Sequence, residues 1–186
     1  MADFPYRSAL IVGAGPGISA SLARRLAGHG GKVALAARNI QKLHSLVEDI
    51  RAEAFTVDAS DPESVAKLFF QVGDRMPEPD IVVYNAAARV QGPLAALDPA
   101  AVQRALAITA FGGFLVTQQA AKRMLPRGRG AILLTGATAS VKGFAHSAGF
   151  RSSRPIPKRG LNCHASSGVP SLPSQPKRIT SRSSVA

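Results

Sequence analysis

Acidic residues are scarce in this chain. Eleven Asp and Glu stand against 23 Lys and Arg among 186 residues, a formal net charge of +12. Such an excess points to nucleic acid or an acidic surface only where it covers a folded face. Residues 151–186 hold seven basic groups and no acidic one, which leaves 16 basic against 11 acidic groups, a net of +5, in residues 1–150. The excess therefore reads as a solvated basic tail, and nucleic acid is not the expected partner. A protein whose tail finds nucleic acid or acidic surfaces is the less favoured reading. Cysteine is nearly absent. Cys163 alone cannot form an internal disulfide, and His164 is the only residue near it with metal-ligand spacing, a pair read as incidental, so no metal site is expected. No uninterrupted apolar run reaches the ~18 residues of a membrane span, and the N-terminus lacks the pattern of a secretion signal. The expectation is a soluble cytoplasmic protein without a membrane partner.

What the chain does have is alternation. "SALIVGAG", "KVALAAR", "AEAFTVDAS", "PDIVVYNAAA" and "GAILLTGAT" read as buried strands. Between them lie helical patterns over 17–29, 40–51 and the stretch "DPESVAKLFFQVGD", then a long helical stretch from Pro99 to Met124 that tolerates Gly112 and Gly113. Near-continuous apolar strands alternating with helices imply a parallel sheet covered on both faces, an α/β, Rossmann-type doubly wound fold. At Arg151 the character changes. The last 36 residues hold nine Ser and five Pro with no helical or strand period, so 1–150 is expected to be the folded domain and 151–186 a disordered basic Ser/Pro-rich tail.

Within the domain, "LIVGAGPGIS" puts Gly13, Gly15 and Gly17, followed by Ile18, at the first strand-to-helix turn. Glycine there lets a pyrophosphate approach the helix N-terminus, whose free N–H groups and dipole favour an anion. The second strand ends in "LAARN". Arg38 stands where an acidic residue would favour NAD, and its guanidinium suits a 2′-phosphate, which points to NADP more than NAD; the alternative is an ordinary surface arginine. Asp58, in "VDAS", either meets the adenine amino group or caps the helix that begins at Pro62.

In this order the motifs resemble those of the short-chain dehydrogenase/reductase family over about residues 7–150. "GAGPGIS" is similar to the family's glycine motif, with Ser19 where its last glycine is usual. "VDAS" resembles the segment beside adenine. "YNAAA" resembles the "NNAG" motif, keeping Asn85 but with Ala87 where glycine is usual. The resemblance implies a nicotinamide cofactor and hydride transfer at a carbonyl or alcohol carbon. The family uses an acid/base tyrosine, a lysine that lowers its pKa, a serine that binds the substrate oxygen and an asparagine in the proton relay. Aligned with that pattern, Thr109 takes the asparagine place, Ala137 the serine place with Thr138 beside it as a candidate oxyanion donor, Phe150 the tyrosine place and Arg154 the lysine place. Phenylalanine has no proton to give, and arginine does not replace an acid/base. His146 is a candidate acid, read instead as a loop histidine facing water.

Pro155 and Pro157 interrupt the helix expected there, and the strands that normally follow are not recognisable. The expectation is therefore a fold incomplete at its C-terminal side, through an alternative C-terminus or a shifted frame. An apolar sheet edge and a helix face are then left exposed. Two readings follow: an atypical NAD(P)-dependent oxidoreductase of unknown substrate, or a catalytically inactive nucleotide-binding protein or truncated isoform acting through a partner. That partner is a second copy or a related family member.

Overall fold

The computed structural model describes residues 5–136 and the backbone of Leu161–Asn162. Five strands alternate with helices: β1 (Ser8–Val12), α1 (Ile18–Gly28), β2 (Lys32–Ala37), α2 (His44–Ile50), β3 (Glu53–Thr56), α3 (Pro62–Arg75), β4 (Ile81–Tyr84), α4 (Pro99–Leu106), α5 (Gly112–Met124) and β5 (Ala131–Leu134). The sheet order is β3-β2-β1-β4-β5, all parallel, and β6 (Leu161–Asn162) joins β5 antiparallel. This is the expected doubly wound Rossmann-type sheet, with its order reversing between β1 and β4. In such sheets ligands bind at the carboxyl ends of the strands beside that switch point.

The strands are apolar throughout because both faces are covered. Leu10, Val12, Ala34, Ala36, Val82 and Tyr84 pack under α3 and α5 with Val65, Leu68, Phe69, Leu115, Val116 and Met124. The alternate residues Ala9, Ile11, Val33, Leu35, Ile81 and Val83 pack under α1 and α2 with Ala20, Ala23, Leu26 and Leu46. Small residues on the buried face of α1 let it lie close to the sheet. Helix α3 starts at Asp61, whose carboxylate accepts from Glu63 N at 3.1 Å and Ser64 N at 3.2 Å, with Pro62 in its first turn. Asp58, the sequence-level alternative for this cap, is not the cap.

At the amino ends of the strands, Asp80 is buried and fixed by Arg7 N at 3.0 Å, Arg127 Nη1 at 3.3 Å and Arg129 Nη2 at 3.4 Å. These contacts tie the segment after α5 to the start of β4. The stretch expected as one helix from Pro99 to Met124 is interrupted: residues Ala107–Phe111 form a π-turn between α4 and α5. Within Pro99–Arg127 an 18-residue window reaches a mean hydropathy of 1.4, so the stretch is long and apolar enough to cross a membrane, although no uninterrupted apolar run has that length. Its inner face explains part of that apolarity, since Leu115, Val116, Ala120 and Met124 belong to the core. The remainder is exposed: Phe111 and Phe114 are 46% and 53% accessible, and their rings stack at 6.2 Å between centroids.

The expected tail, 151–186, lies outside the described residues apart from the backbone of Leu161–Asn162, which pairs with Ile132 and Ala131.

Candidate functional site

The carboxyl ends of β1, β2, β3 and β4 enclose a cleft of about 310 Å³. Its floor is the glycine turn Gly13–Pro16; Ala37, Arg38, Asn39 and Lys42 line it from the β2 side, Asp58 and Ala59 from the β3 side, and Asn85–Ala87 with Ile108 from the far side. Gly13, Gly15, Arg38, Asp58 and Asn85, singled out from the sequence, are thereby brought together. Gly17 and Ile18 begin α1 outside this lining, with Ile18 70% exposed.

The glycines do different jobs. Gly13 has φ +83°, and a Cβ there would sit inside the van der Waals envelope of the Asn85–Ala86 backbone. The fold itself needs this glycine, because β1 and β4 leave the sheet side by side. Gly15 lacks a positive φ, and a Cβ on it would meet no atom within 4 Å. Among the described residues nothing requires glycine at that position, and the cleft above it is open. Gly17 caps α1 without a side-chain hydrogen bond, and the first turn holds no acidic residue. An uncapped helix N-terminus presents unpaired N–H groups and the positive end of its dipole. A diphosphate fits this donor set and this space.

The cations Arg38 and Lys42 line the cleft's β2 side and Asp58 its β3 side, and the charge of Arg38 acts on the Asp58 carboxylate. Asp58 forms an Asx turn, accepting from Ser60 N at 2.9 Å and Ser60 Oγ at 2.6 Å. The Ser60 hydroxyl, then the Ser60 backbone N–H, hold its carboxyl below the ordinary range against the opposing effect of burial, with a lesser contribution from the charge of Arg38. It remains an acceptor for an amino group.

On the far side, the π-turn is held at two points. The Tyr84 hydroxyl donates to the Ile108 carbonyl, and Thr109 Oγ1 accepts from Ala88 N at 3.1 Å. Gly112 makes the first contact feasible, because a Cβ there would collide with the Tyr84 hydroxyl and the Ala59 carbonyl. The sequence reading merely tolerated Gly112 and Gly113; the packing requires the first of them. Burial, and secondarily the charge of Asp58, raise the Tyr84 phenol above its ordinary pKa, so Tyr84 is a donor at neutral pH and not a base. Thr109 is thus placed beside the cleft wall. Ala137, Thr138, His146, Phe150 and Arg154 lie outside the described residues.

Sequence reasoning missed Lys42, Tyr84 and the Ser19 hydroxyl. Lys42 follows the second strand by one turn and carried no motif. Ser19 was noted only for not being glycine; its hydroxyl donates to the Gly13 carbonyl at 3.2 Å and accepts from Asn85 Nδ2 at 2.8 Å.

Comparison with known proteins bears on this site. A family model described as short chain dehydrogenase matches residues 7–155. Versicolorin reductase 1 from Aspergillus parasiticus is 32% identical over 163 residues, which are 84% of this chain and 62% of that protein. Gluconate 5-dehydrogenase from Gluconobacter oxydans is 31% identical over 130 residues, 67% of this chain and 51% of that protein. Among solved structures, a variant of actinorhodin polyketide ketoreductase with NADPH superposes with a TM-score of 0.75 at 30% identity, covering 79% of this chain and 59% of that one. The chain spans about half the length of the curated relatives it matches, 43% of an uncharacterised Caenorhabditis elegans oxidoreductase among them.

Proposed function

Because this chain belongs to the short-chain dehydrogenase/reductase family, we propose that its cleft seats a nicotinamide dinucleotide, NADP in preference to NAD, in the service of hydride transfer at a carbonyl or alcohol carbon. The observation that carries the reading is the open space over Gly15 beside an uncapped helix N-terminus. The pyrophosphate takes the first-turn N–H groups of α1, where the helix dipole favours it. Arg38 and Lys42 take the 2′-phosphate through charge-assisted hydrogen bonds. Asp58 accepts from the adenine amino group. A bound reduced dinucleotide would supply hydride to a carbonyl carbon, and an oxidised one would accept it from an alcohol carbon; the chain's own residues would hold it, and Thr109 and Tyr84 fix the far wall of the cleft. The NADPH in the ketoreductase neighbour supports the choice of cofactor.

A second reading is favoured by the residues at the family's catalytic places. Phe150 carries no ionisable proton and Ala137 no hydroxyl, so the usual proton transfer has no group to perform it. On that reading the chain binds nucleotide and acts through a partner, and the exposed Phe111–Phe114 face of the π-turn and α5 supports association with a second copy or a related chain.

The test is a titration of purified protein with NADPH and NADH, followed by nicotinamide fluorescence. Tighter NADPH binding is expected, and Arg38→Ala should weaken it about tenfold while leaving NADH nearly unaffected, as for loss of a hydrogen bond to a charged group. Equal binding of the two nucleotides would refute the NADP preference, and binding of neither would refute the site. Turnover of carbonyl compounds with NADPH supports the first reading; tight binding with no turnover supports the second.

A further inference from the structure

Three side chains form a single file of hydrogen bonds across the end of the sheet. Thr135 Oγ1 donates to Asn85 Oδ1 at 2.7 Å, Asn85 Nδ2 donates to Ser19 Oγ at 2.8 Å, and Ser19 Oγ donates to the Gly13 carbonyl at 3.2 Å. Chemistry sets the direction of the file. The Asn85 amide donates only from nitrogen and accepts only at oxygen, and Ser19 has one proton, which goes to the carbonyl. Thr135 also reaches the Tyr84 carbonyl, at 3.3 Å. Hydrogen bonds aligned in one sense polarise one another.

The file ends on the peptide that orients the glycine turn. The Gly13 carbonyl shares a peptide with Ala14 N–H, and that N–H donates to the Ala36 carbonyl at 3.0 Å beside Gly13 N at 2.9 Å. Strand β2 therefore grips the peptide by its nitrogen, and Ser19 grips it by its oxygen. Ser19 is 1% exposed, so water does not replace its hydroxyl. With glycine at this position, the usual residue in the family that this chain resembles, both Asn85 Nδ2 and the Gly13 carbonyl would lose this partner.

We propose that Ser19 is a positioning residue: through Asn85 and Thr135 it couples the end of β5 to the Gly13–Ala14 peptide and so sets the turn that receives the cofactor's phosphates. The second half of this statement rests on the nucleotide-binding reading above; the first half does not.

Amide hydrogen exchange in the nucleotide-free protein tests the first half. Ser19→Ala should speed exchange at Ala14 about five- to tenfold while Leu35, inside β2, keeps its rate, because the loss is local and amounts to one hydrogen bond. Thr135→Val, which removes the other end of the file, should act in the same direction. The double variant should fall short of the product of the two, since each substitution breaks the same chain. NADPH affinity should follow the same pattern. Unchanged Ala14 exchange in a folded Ser19→Ala protein would overturn the proposal, as would effects of the two variants that simply multiply. Equal acceleration at Leu35 would also overturn it, by showing a purely structural role. Ser19→Gly provides a second truncation should Ser19→Ala fail to fold. If the wild-type protein binds neither NADPH nor NADH while Ala14 still responds to Ser19→Ala, the positioning role stands and the phosphate seat falls.

Discussion

Replacing Gly15 by alanine and Gly13 by alanine should have opposite consequences, and the contrast separates what the fold needs from what a ligand needs. At Gly15 an added methyl meets no protein atom within 4 Å, and the backbone is not left-handed. Alanine there restricts the unfolded chain without straining the folded one, which stabilises by about 0.4–1 kcal/mol. For a chain of this size that raises the melting temperature by about 1–4 °C. The same methyl fills space assigned to the pyrophosphate, and overfilling a packed contact costs about 1–3 kcal/mol. NADPH affinity should therefore fall about tenfold or more. At Gly13, alanine must adopt φ +83° and push into the Asn85–Ala86 backbone. The left-handed conformation costs about 1–2 kcal/mol and the collision about 1–3 more, a large part of the stability of an ordinary domain. Thermal melts and NADPH titrations of both variants decide the matter. A Gly15→Ala protein that melts at or above the wild-type temperature yet binds NADPH equally well would refute the placement of the phosphates. A Gly13→Ala protein as stable as wild type would refute the account of the β1–β4 junction.

Two further outcomes concern the π-turn and its tyrosine. Gly112→Ala should destabilise by about 1–3 kcal/mol through collision with the Tyr84 hydroxyl and the Ala59 carbonyl. Tyr84→Phe should recover part of that loss in the double variant, and strictly additive urea midpoints would refute the contact. The raised pKa of Tyr84 gives a pH dependence whose sign follows from linkage. Its contribution is fully present below the ordinary phenol value of 10.0 and is lost as pH rises above it, because the unfolded chain ionises first. Urea midpoints between pH 9 and 11 should fall more steeply for wild type than for Tyr84→Phe, and parallel profiles would count against burial of the phenol.

Most of the architecture was legible because it depends on local pattern. Apolar strands, amphipathic helices and the glycine turn each declare themselves within a dozen residues, and their alternation restricts the topology. What was not legible depends on contacts between distant segments. The long helix from Pro99 read as continuous because nothing local breaks it. The π-turn is pinned by Tyr84 and Ala88, about twenty residues upstream. Asp58 was open as the α3 cap from the sequence; backbone geometry gives the cap to Asp61 and an Asx turn to Asp58. Among residues lining the cleft, Gly13, Gly15 and Arg38 were legible through their positions after β1 and β2. Lys42 and the Ser19 hydroxyl were missed, since their roles appear only when β2, β4 and α1 converge.

The π-turn also acts as a register counter. An α-helix advances about 100° per residue, and a π-turn absorbs one extra residue without advancing the helix that follows. Deleting one residue within 107–111 would therefore convert the turn into regular α-helix and leave α5 facing the sheet as before, with Leu115, Val116, Ala120 and Met124 still in the core. What it would remove is the bulge itself, and with it the Ile108 carbonyl and Thr109 hydroxyl presented to Tyr84 and Ala88. One residue deleted within α5 has no such slack to draw on and would turn the helix beyond it by about 100° against the sheet. The chain thus tolerates a change of length beside the cleft that it does not tolerate one turn further on.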